Sequence, residues 1–341
     1  MIDFLLQNSL LPDWALRIAI RRMLRNRLSR EKCSTEEAQR DKLNELINEL
    51  RHSPIAINTS EANQQHYEVP AEFFRLVLGP WMKYSCGLWP EGVNTLEESE
   101  AKMLDLTISH AGIENGQRIL DLGCGWGSFT LYAAQRYPDT SFTAVSNSVS
   151  QRVFVEHRVR ELKLKNVKAI TADINDFDPM EKFDRVVSVE MFEHVRNYEL
   201  LFQRILSWLK DDGRLFVHIF NHRKFAYKFE VKNESDWMAR HFFTGGMMPS
   251  GDLLFHFSND FTTAGQWTIN GNHYSKTLEA WLKNMDRNKN LIFPIFERVY
   301  GAEANRFWSY WRIFFMACSE TFRLNGGAEW QVGHYLWRKK S

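Results

Sequence analysis

The stretch Leu120-Asp-Leu-Gly-Cys-Gly-Trp-Gly127 decides the fold, because it closes a short apolar run with three glycines at alternate positions. Gly123, Gly125 and Gly127 allow a sharp turn and a close approach of the backbone to a ligand. Their spacing is G-x-G-x-G rather than the dinucleotide-binding G-x-G-x-x-G, and no P-loop lysine follows. The motif therefore predicts a strand–turn–helix unit whose obvious ligand is not a phosphate.

Short apolar runs alternate with helix-length amphipathic segments from this motif onward. The runs are Arg118–Leu122, Thr140–Ser146, Val167–Thr171, Phe183–Val189 and Arg214–Phe220. This alternation predicts right-handed crossovers and a doubly wound α/β fold with a parallel sheet covered on both faces. A last alternating segment, Glu329–Trp337, predicts an antiparallel strand at or near the sheet edge. Ligands of such sheets bind beyond the carboxyl ends of the strands.

Two further regions accompany the predicted sheet. Residues 12–51 have a helical pattern with a break near Ser34, which predicts a helical N-terminal cap over residues 1–65. Residues 66–341 form the predicted α/β domain. Within it, residues 221–325 leave the regular alternation and are rich in aromatic side chains, so we expect a helical lid or substrate-pocket insertion there.

Composition and charge exclude several functions for the chain. Its 341 residues carry 43 Lys+Arg and 42 Asp+Glu, a formal net charge of +1, so no global field attracts nucleic acid. The four cysteines have no paired spacing, which predicts a cytoplasmic protein without a disulfide framework. His218 and His222 lie at a strand end without a Glu-flanked metal motif, so we expect no metal site.

The first predicted helix is strongly basic. A helix of this kind could make peripheral contact with an anionic membrane surface. A solvated face on a capping helix is the alternative, and we favour it because most charge runs are only that. The six arginines are Arg17, Arg21, Arg22, Arg25, Arg27 and Arg30.

With Asp121 before its glycines, the turn resembles motif I of class I S-adenosyl-L-methionine-dependent methyltransferases, in which the loop wraps the methionine part of the cofactor. Asn147 and Gln151 follow the second strand, where many nucleotide-binding sheets carry an acidic residue for the ribose hydroxyls. Amides can make the same hydrogen bonds without charge. Asp173 and Ile174 follow the third strand and offer a carboxylate to the adenine amino group and an apolar face to its ring.

The sequence is similar to the branch that contains cyclopropane fatty acid synthases, mycolic acid methyltransferases and plant coclaurine-type N-methyltransferases. The resemblance includes Met191-Phe-Glu-His194 followed by Asn197-Tyr198, and it spans nearly the whole chain. It implies a Rossmann-like methyltransferase domain in which Tyr67, Tyr84 and Ser85 border the cofactor. Glu190 departs from the glycine often found before this motif.

The candidate catalytic residues follow from the fourth strand and from this resemblance. Glu193 and His194 are adjacent titratable groups at a strand end, where either could act as a base. In the N-methyltransferase pattern, the Glu and His face the substrate amine. Cys86, His218 and Tyr274 match, together with Glu193, the bicarbonate-holding positions of cyclopropane synthases. Taken singly, these three residues would also suit an apolar core.

The full-length likeness favours a methyltransferase that acts on a small-molecule amine. A protonated alkylamine has no free lone pair, so such an enzyme needs a base before or during methyl transfer. One alternative is a cyclopropane-fatty-acyl-phospholipid synthase that methylenates unsaturated acyl chains with bound bicarbonate as the base. A second alternative is a catalytically inactive regulatory protein that binds S-adenosyl-L-methionine.

Overall fold

The computed structural model describes residues 11–57, 69–231 and 237–340 of the chain. Two helices come first, α1 (Asp13–Glu31) and α2 (Glu36–Arg51). They separate where Thr35 takes an extended conformation and its side chain accepts a hydrogen bond from the amide of Ala38. A hydroxyl at this position caps the exposed N–H groups of the new helix. The break therefore falls close to the predicted one at Ser34.

The α/β part begins with two helices and continues with five strands, which helices separate except between the third and the fourth. The second of the two opening helices starts at a capping box between Thr95 and Glu98 and ends at Gly112, which has a φ of 63°. The elements are α3 (Ala71–Val77), α4 (Leu96–Ala111), β1 (Arg118–Leu122), α5 (Ser128–Arg136), β2 (Ser141–Ser146), α6 (Val149–Glu161), β3 (Val167–Thr171), β4 (Phe183–Val189), α7 (Tyr198–Trp208) and β5 (Leu209–His222).

The region after β5 contains more extended structure than the predicted helical lid. It comprises β6 (Tyr227–Lys228), α8 (Trp237–His241), β7 (Met247–Met248), β8 (Phe261–Ile269), α9 (Asn272–Arg287), α10 (Lys289–Tyr300), α11 (Ala304–Arg323) and β9 (Trp330–Lys339). The prediction omitted β8. In that strand only Phe261 and Ile269 are buried, so the sequence shows neither an apolar run nor a clean alternation.

The main sheet has seven strands in the order β3-β2-β1-β4-β5-β9-β8. Strands β1 to β5 are parallel to one another, whereas β9 pairs antiparallel with both β5 and β8. The predicted doubly wound α/β fold is thereby confirmed. The last strand is antiparallel and next to the edge, because β8 covers its outer side.

A cluster of aromatic side chains that includes rings of α3 and α9 packs against the glycine turn after β1. Phe74 lies with its ring centroid 5.1 Å from those of Tyr84 and Trp126, and Trp281 lies 5.4 Å from Tyr84. Buried aromatic rings supply much of the apolar surface of a core. The helices after β8 are therefore joined to the first half of the sheet at the place where the site forms.

Three of the six arginine side chains of α1 interact with residues elsewhere in the protein. Arg17 and Arg21 form ion pairs with Glu320, whose side chain is completely buried, at 3.0 and 2.9 Å. The Arg27 guanidinium lies over the ring of Tyr227, 4.9 Å from its centroid. The other three arginines of the helix, Arg22, Arg25 and Arg30, are exposed. Among the residues that the structure describes, no helix is both long and apolar enough to cross a membrane.

Candidate active site

The glycine turn after β1 is held in a conformation that other residues rarely adopt. Gly123, Gly125 and Gly127 have φ values of 83°, 53° and 78°. A Cβ atom on Gly123 would lie 2.7 Å from the side chain of Met191, in the loop after β4. Glycine is therefore required here both for its positive φ and for the close approach of two loops.

Asp121 precedes this turn and is buried. Its carboxylate accepts a hydrogen bond of 2.6 Å from the Thr130 hydroxyl of α5. Burial raises the pKa of Asp121 to about 7, against the opposing effect of the Thr130 hydrogen bonds. This contact joins the end of β1 to the next helix. Its direct partner is therefore a protein group, and a contact with the cofactor stays a prediction.

Several buried hydrogen-bonding atoms near the turn and after β2 have no partner within the described part of the chain. They are Nε2 of Gln151, Nε1 of Trp126 and Oγ of Ser128. Oε1 of Gln151 is occupied, since it accepts a 2.6 Å hydrogen bond from Ser146. Unsatisfied buried donors are costly and occur mostly where a ligand or water completes them. This edge of the sheet therefore suits a ligand that carries hydroxyl or carboxylate oxygens.

The other predicted cofactor-binding residues surround the same edge, with one exception. Asn147 follows β2, and Asp173 and Ile174 follow β3, all of them partly accessible. Asp173 also accepts a 2.8 Å hydrogen bond from the Asn175 amide. Tyr67 lies outside the described residues.

Tyr84 and Ser85 border this edge from the loop between α3 and α4. Tyr84 contacts the aromatic rings beside the glycine turn. The hydroxyl of buried Ser85 accepts a hydrogen bond from the ammonium of Lys83. Both residues therefore lie in the segment that also contains Cys86.

Glu190 lies at the centre of three of the four residues that the resemblance to cyclopropane synthases implies for an anion site. Its carboxylate accepts hydrogen bonds from the amide of Cys86 at 3.1 Å and from the hydroxyl of Tyr274, and its Oε1 lies 3.2 Å from Nε2 of His218. The thiol of Cys86 points instead to the carbonyl of Gly87. The structure therefore brings Cys86, His218 and Tyr274 together around a carboxylate of the chain itself.

The backbone explains why this position suits glycine. Glu190 has a φ of 49°, which is uncommon for a residue with a side chain. Its amide donates a 2.8 Å hydrogen bond to the carbonyl of His218, which fixes the loop after β4 to β5. Only 9% of its side chain is exposed. Sequence reasoning noted the departure from glycine and missed that Glu190 belongs to the site.

The second carboxylate of the loop, Glu193, has a contrasting environment. It is 1% exposed, and neither of its carboxylate oxygens has a hydrogen-bond partner among the residues that the structure describes. Burial, reinforced by the charge of Glu190, raises its pKa well above the ordinary value. A buried carboxyl group with no partner is expected where a ligand supplies one.

A buried lysine balances the two carboxylates. Lys83 is 1% exposed, and burial lowers its pKa while the nearby Glu190 opposes that change. Burial also raises the pKa of Glu190, and the charge of Lys83 and the Tyr274 hydroxyl counteract part of the rise. Protonation is therefore opposed at Glu190 by Lys83 and Tyr274, whereas at Glu193 the neighbouring negative charge adds to the effect of burial. Lys83 lies three residues before Cys86, and no pattern in the sequence marks it as part of the site.

His194 ends the short 3₁₀ helix Phe192–His194 that carries Glu193. Its ring lies 4.9 Å from the ring of Phe243, which comes from the region after β5. His194 therefore lies where the loop after β4 contacts the predicted lid. Its role as a base stays a prediction.

No metal centre is formed by the described residues. Among residues 11–57, 69–231 and 237–340, no group of three or more His, Cys, Asp or Glu side chains is arranged to hold a metal ion. Nδ1 of His222 accepts hydrogen bonds from the amides of Lys224 and Phe225, at 3.0 and 2.8 Å. This histidine therefore orders the turn after β5.

Comparison with known proteins connects this geometry to a family. Residues 56–332 match the family model described as mycolic acid cyclopropane synthetase. An (S)-coclaurine N-methyltransferase of Thalictrum flavum subsp. glaucum is 40% identical over 340 residues, which cover 98% of this chain and 94% of that protein. An (S)-coclaurine N-methyltransferase of Papaver somniferum is 38% identical over 335 residues, which cover 97% of this chain and 95% of its length.

A solved structure extends the match to three dimensions. The crystal structure of a coclaurine N-methyltransferase bound to N-methylheliamine and SAH superposes with a TM-score of 0.96 and 38% sequence identity, and 99% of each chain is covered. The sheet order, the glycine turn and the loop after β4 therefore belong to a class I methyltransferase fold. The chain is a member of the mycolic acid cyclopropane synthetase family.

Proposed function

We propose that the protein is an S-adenosyl-L-methionine-dependent methyltransferase that methylates the nitrogen of a small-molecule amine. The observation that carries the proposal is the pair of buried carboxylates in the loop after β4. Glu190 is held by three protein groups, whereas Glu193 has both oxygens free of partners within the described chain. Relatives named as coclaurine N-methyltransferases, with 38–40% identity over nearly the full chain, support the same substrate class.

The cofactor is proposed to bind at the edge formed by β1, β2 and β3. Bound there, S-adenosyl-L-methionine supplies an electrophilic methyl group on a cationic sulfonium. The glycine turn admits the close approach that its methionine part requires, and Gln151 offers a hydroxyl a buried N–H that no described residue accepts. The residues proposed to hold it are Tyr67, Tyr84, Ser85, Asp121, Gly123, Gly125, Asn147, Gln151, Asp173 and Ile174.

The acceptor amine is proposed to meet Glu193 and His194. An ammonium N–H would give each buried oxygen of Glu193 the hydrogen bond that it lacks, and the positive charge favours ionised Glu193. Glu193, with His194 beside it, then takes the proton that frees the nitrogen lone pair. Charge balances, because an ammonium and a sulfonium give a methylated ammonium, a neutral thioether and one released proton.

The cyclopropane synthase alternative needs an anion site for bicarbonate. In this chain the Cys86 amide and the Tyr274 hydroxyl already donate to Glu190, and Nε2 of His218 faces the same carboxylate. An internal carboxylate thus supplies the negative charge that an external anion would bring. This arrangement favours the amine over the alkene, and the intact Glu193-His194 pair argues against a purely regulatory role.

A panel of acceptors tests the proposal. The protein is incubated with methyl-labelled S-adenosyl-L-methionine and, in separate reactions, with benzylisoquinoline-like amines or with vesicles of unsaturated phospholipid. We expect label in the amines. Label in the lipid alone would establish the cyclopropane synthase alternative. Binding of the cofactor without transfer to either class would leave the regulatory alternative.

A matched pair of variants connects the activity to the site. Glu193→Ala should lower amine methylation about 10²- to 10⁴-fold, the range of a lost acid–base group, while the affinity for SAH stays nearly unchanged. Glu199→Ala removes a carboxylate of α7 that pairs with Arg51 near the surface, so it serves as the control. Equal turnover of the two variants would remove Glu193 from the mechanism.

A further inference from the structure

Three histidines form a continuous row that leads away from Glu190. His218 on β5 lies directly opposite His334 on β9, and Nδ1 of the first is 2.8 Å from Nε2 of the second. Nδ1 of His334 is 2.9 Å from Nδ1 of His110, near the end of α4. We refer to His218, His334 and His110 as the histidine chain.

The far end of the histidine chain is fixed but accessible. His110 stacks on Trp267 of β8, with ring centroids 3.8 Å apart and an interplanar angle of 11°. His218 and His334 are completely buried, whereas His110 is half-buried. The histidine chain therefore runs from Glu190, along one face of strands β5 and β9, to the ring of His110, which water can reach.

Hydrogen atoms can occupy this chain of neutral rings in two consistent ways, because a neutral imidazole carries one N–H. When Glu190 is ionised, His218 donates from Nε2 to it, His334 donates from Nε2 to His218, and His110 donates from Nδ1 to His334. When Glu190 is protonated and donates to His218, each ring carries its hydrogen on the other nitrogen. The two arrangements differ by one proton.

The surroundings favour the first arrangement. Burial lowers the pKa of His218 and of His334 well below the ordinary value, so both rings are neutral at pH 7. Glu190 already accepts hydrogen bonds from the Cys86 amide and the Tyr274 hydroxyl, which stabilise its charged form. An N–H from His218 adds a third donor to the same carboxylate.

We propose that His334 and His110 are positioning residues that hold His218 in the tautomer with its N–H directed at Glu190. They thereby keep the carboxylate of Glu190 ionised and fixed in orientation beside Glu193. The inference rests on the proposed function, because it assigns the histidine chain to the electrostatics of amine methylation. Neither residue touches substrate or cofactor in this assignment, and both act through His218.

Other ionisable groups also face Glu190 and set the background against which the histidine chain acts. Lys83 favours the ionised carboxylate through its positive charge, and Glu193 opposes it. Variants of His334 and His110 leave these groups unchanged. A shift in the titration of Glu190 in such a variant therefore reports on the tautomer of His218. The facing groups are Lys83, Cys86, Glu193, His218, Tyr274 and Cys318.

The test replaces His334 by residues that differ in donor capacity. His334→Phe fills the space of the ring without a donor, whereas His334→Gln keeps an N–H for Nδ1 of His218. For His334→Phe we expect the acid limb of the turnover–pH profile to rise by about one pH unit, because Glu190 loses support for its charged form. At pH values below that limb, turnover of His334→Phe is about tenfold lower than turnover of the wild type. His334→Gln should restore most of the profile, with the KM for S-adenosyl-L-methionine unchanged in both.

His110→Phe is the second variant, chosen because it keeps the stacking on Trp267 at a half-buried position. It should shift the acid limb in the same direction by a smaller amount. His157→Phe, at an exposed ring of α6 that pairs with Glu161, is the control and should leave the profile unchanged. A wild-type profile in both His334→Phe and His110→Phe, or equal losses in His334→Phe and His334→Gln without a pH shift, would overturn the proposal.

A readout without turnover separates this inference from the proposed function. Titration of the buried carboxyl groups by infrared spectroscopy, in the wild type and in His334→Phe, each compared with the same protein carrying Glu190→Gln, isolates the charge of Glu190 by difference. A higher carboxyl titration in His334→Phe supports the histidine chain even if no amine on the panel is methylated, a result that would refute only the proposed function. An identical titration in the two proteins would refute the proposed role of the histidine chain.

Discussion

The two halves of the main sheet treat their buried polar groups in opposite ways. In the half formed by β3, β2 and β1, buried donors near the glycine turn, such as Gln151 Nε2, have no hydrogen-bond partner among the described residues. In the half formed by β4, β5, β9 and β8, Glu190 and the histidine chain are hydrogen-bonded to one another. The first half leaves hydrogen bonds for a ligand to complete. The second half contains its own anionic group, the Glu190 carboxylate, and fixes it with hydrogen bonds from the protein.

Replacing Glu190 should produce the largest effect, since it removes the anion on which the second half is built. We expect Glu190→Gln to reduce amine methylation about 10²- to 10⁴-fold, as for a lost acid–base group. The measurement is single-turnover methylation, with SAH affinity by calorimetry to verify that the first half is intact. Turnover close to the wild type would show that Glu193 and His194 suffice.

Glu190→Gly sharpens the same comparison. It suits the positive φ of 49° at this position and leaves the donors of Cys86 and Tyr274 without an acceptor. Added bicarbonate should then restore part of the activity, whereas added chloride at the same ionic strength should not. Equal responses to the two salts would mean that the donors do not form an anion site.

A substitution in the first half should act on cofactor binding rather than on the base. Gly123→Ala places a methyl group 2.7 Å from the side chain of Met191 at a φ of 83°. We expect at least about a tenfold loss of SAH affinity, because relieving this contact displaces the loops after β1 and β4, and about 1.4 kcal/mol of lost binding free energy is a tenfold change in affinity. Gly116→Ala is the matched control, with the same φ of 83° but open space around its Cβ position.

Gly116→Ala should lower the melting temperature and leave SAH affinity unchanged. If Gly123→Ala also bound SAH like the wild type, the close approach of the loops after β1 and β4 would not serve the cofactor.

The pH dependence should reflect the second half. Burial raises the pKa of Glu190 and of Glu193 above ordinary carboxyl values, so both bind protons at a higher pH than exposed glutamates do. Amine methylation should therefore rise with pH through the range near neutrality. Its acid limb should lie well above the pH at which ordinary carboxyl groups titrate. Rates measured with the substrate saturating at each pH test this expectation, and a flat profile between pH 5 and 8 would contradict it.

The smallest effect on turnover is expected for Thr130→Val. It removes the hydroxyl that donates to buried Asp121 and should cost about 1–3 kcal/mol of unfolding free energy. Chemical denaturation measures the loss, with Thr321→Val as a control on a hydroxyl that bonds only to a backbone carbonyl in α11. A similar loss in the two variants would mean that the buried carboxylate gives the Thr130 contact no special value.

The sequence predicted the first half of the sheet more completely than the second. Strands such as β1 and β2 are buried on both faces, so they appear as apolar runs that end at recognisable turns. β8 has little burial, and the prediction omitted it. Glu190 lies 104 positions from Cys86 and 84 from Tyr274, and no local pattern reports contacts over such separations. His334 and His110 went unnoticed for the same reason, because His334 meets His218 through the register of β5 and β9, and His110 meets His334 through the packing of α4.

The left-handed backbone of Glu190 bears on how such a site can change during evolution. Glutamate codons differ from glycine codons by one nucleotide, and the conformation at this position costs glycine nothing. A point mutation could therefore replace the Glu190 carboxylate by a cavity that binds an anion from solution, with the rest of the fold left intact. The barrier between two chemistries on this scaffold is then a single base change rather than a rebuilt loop.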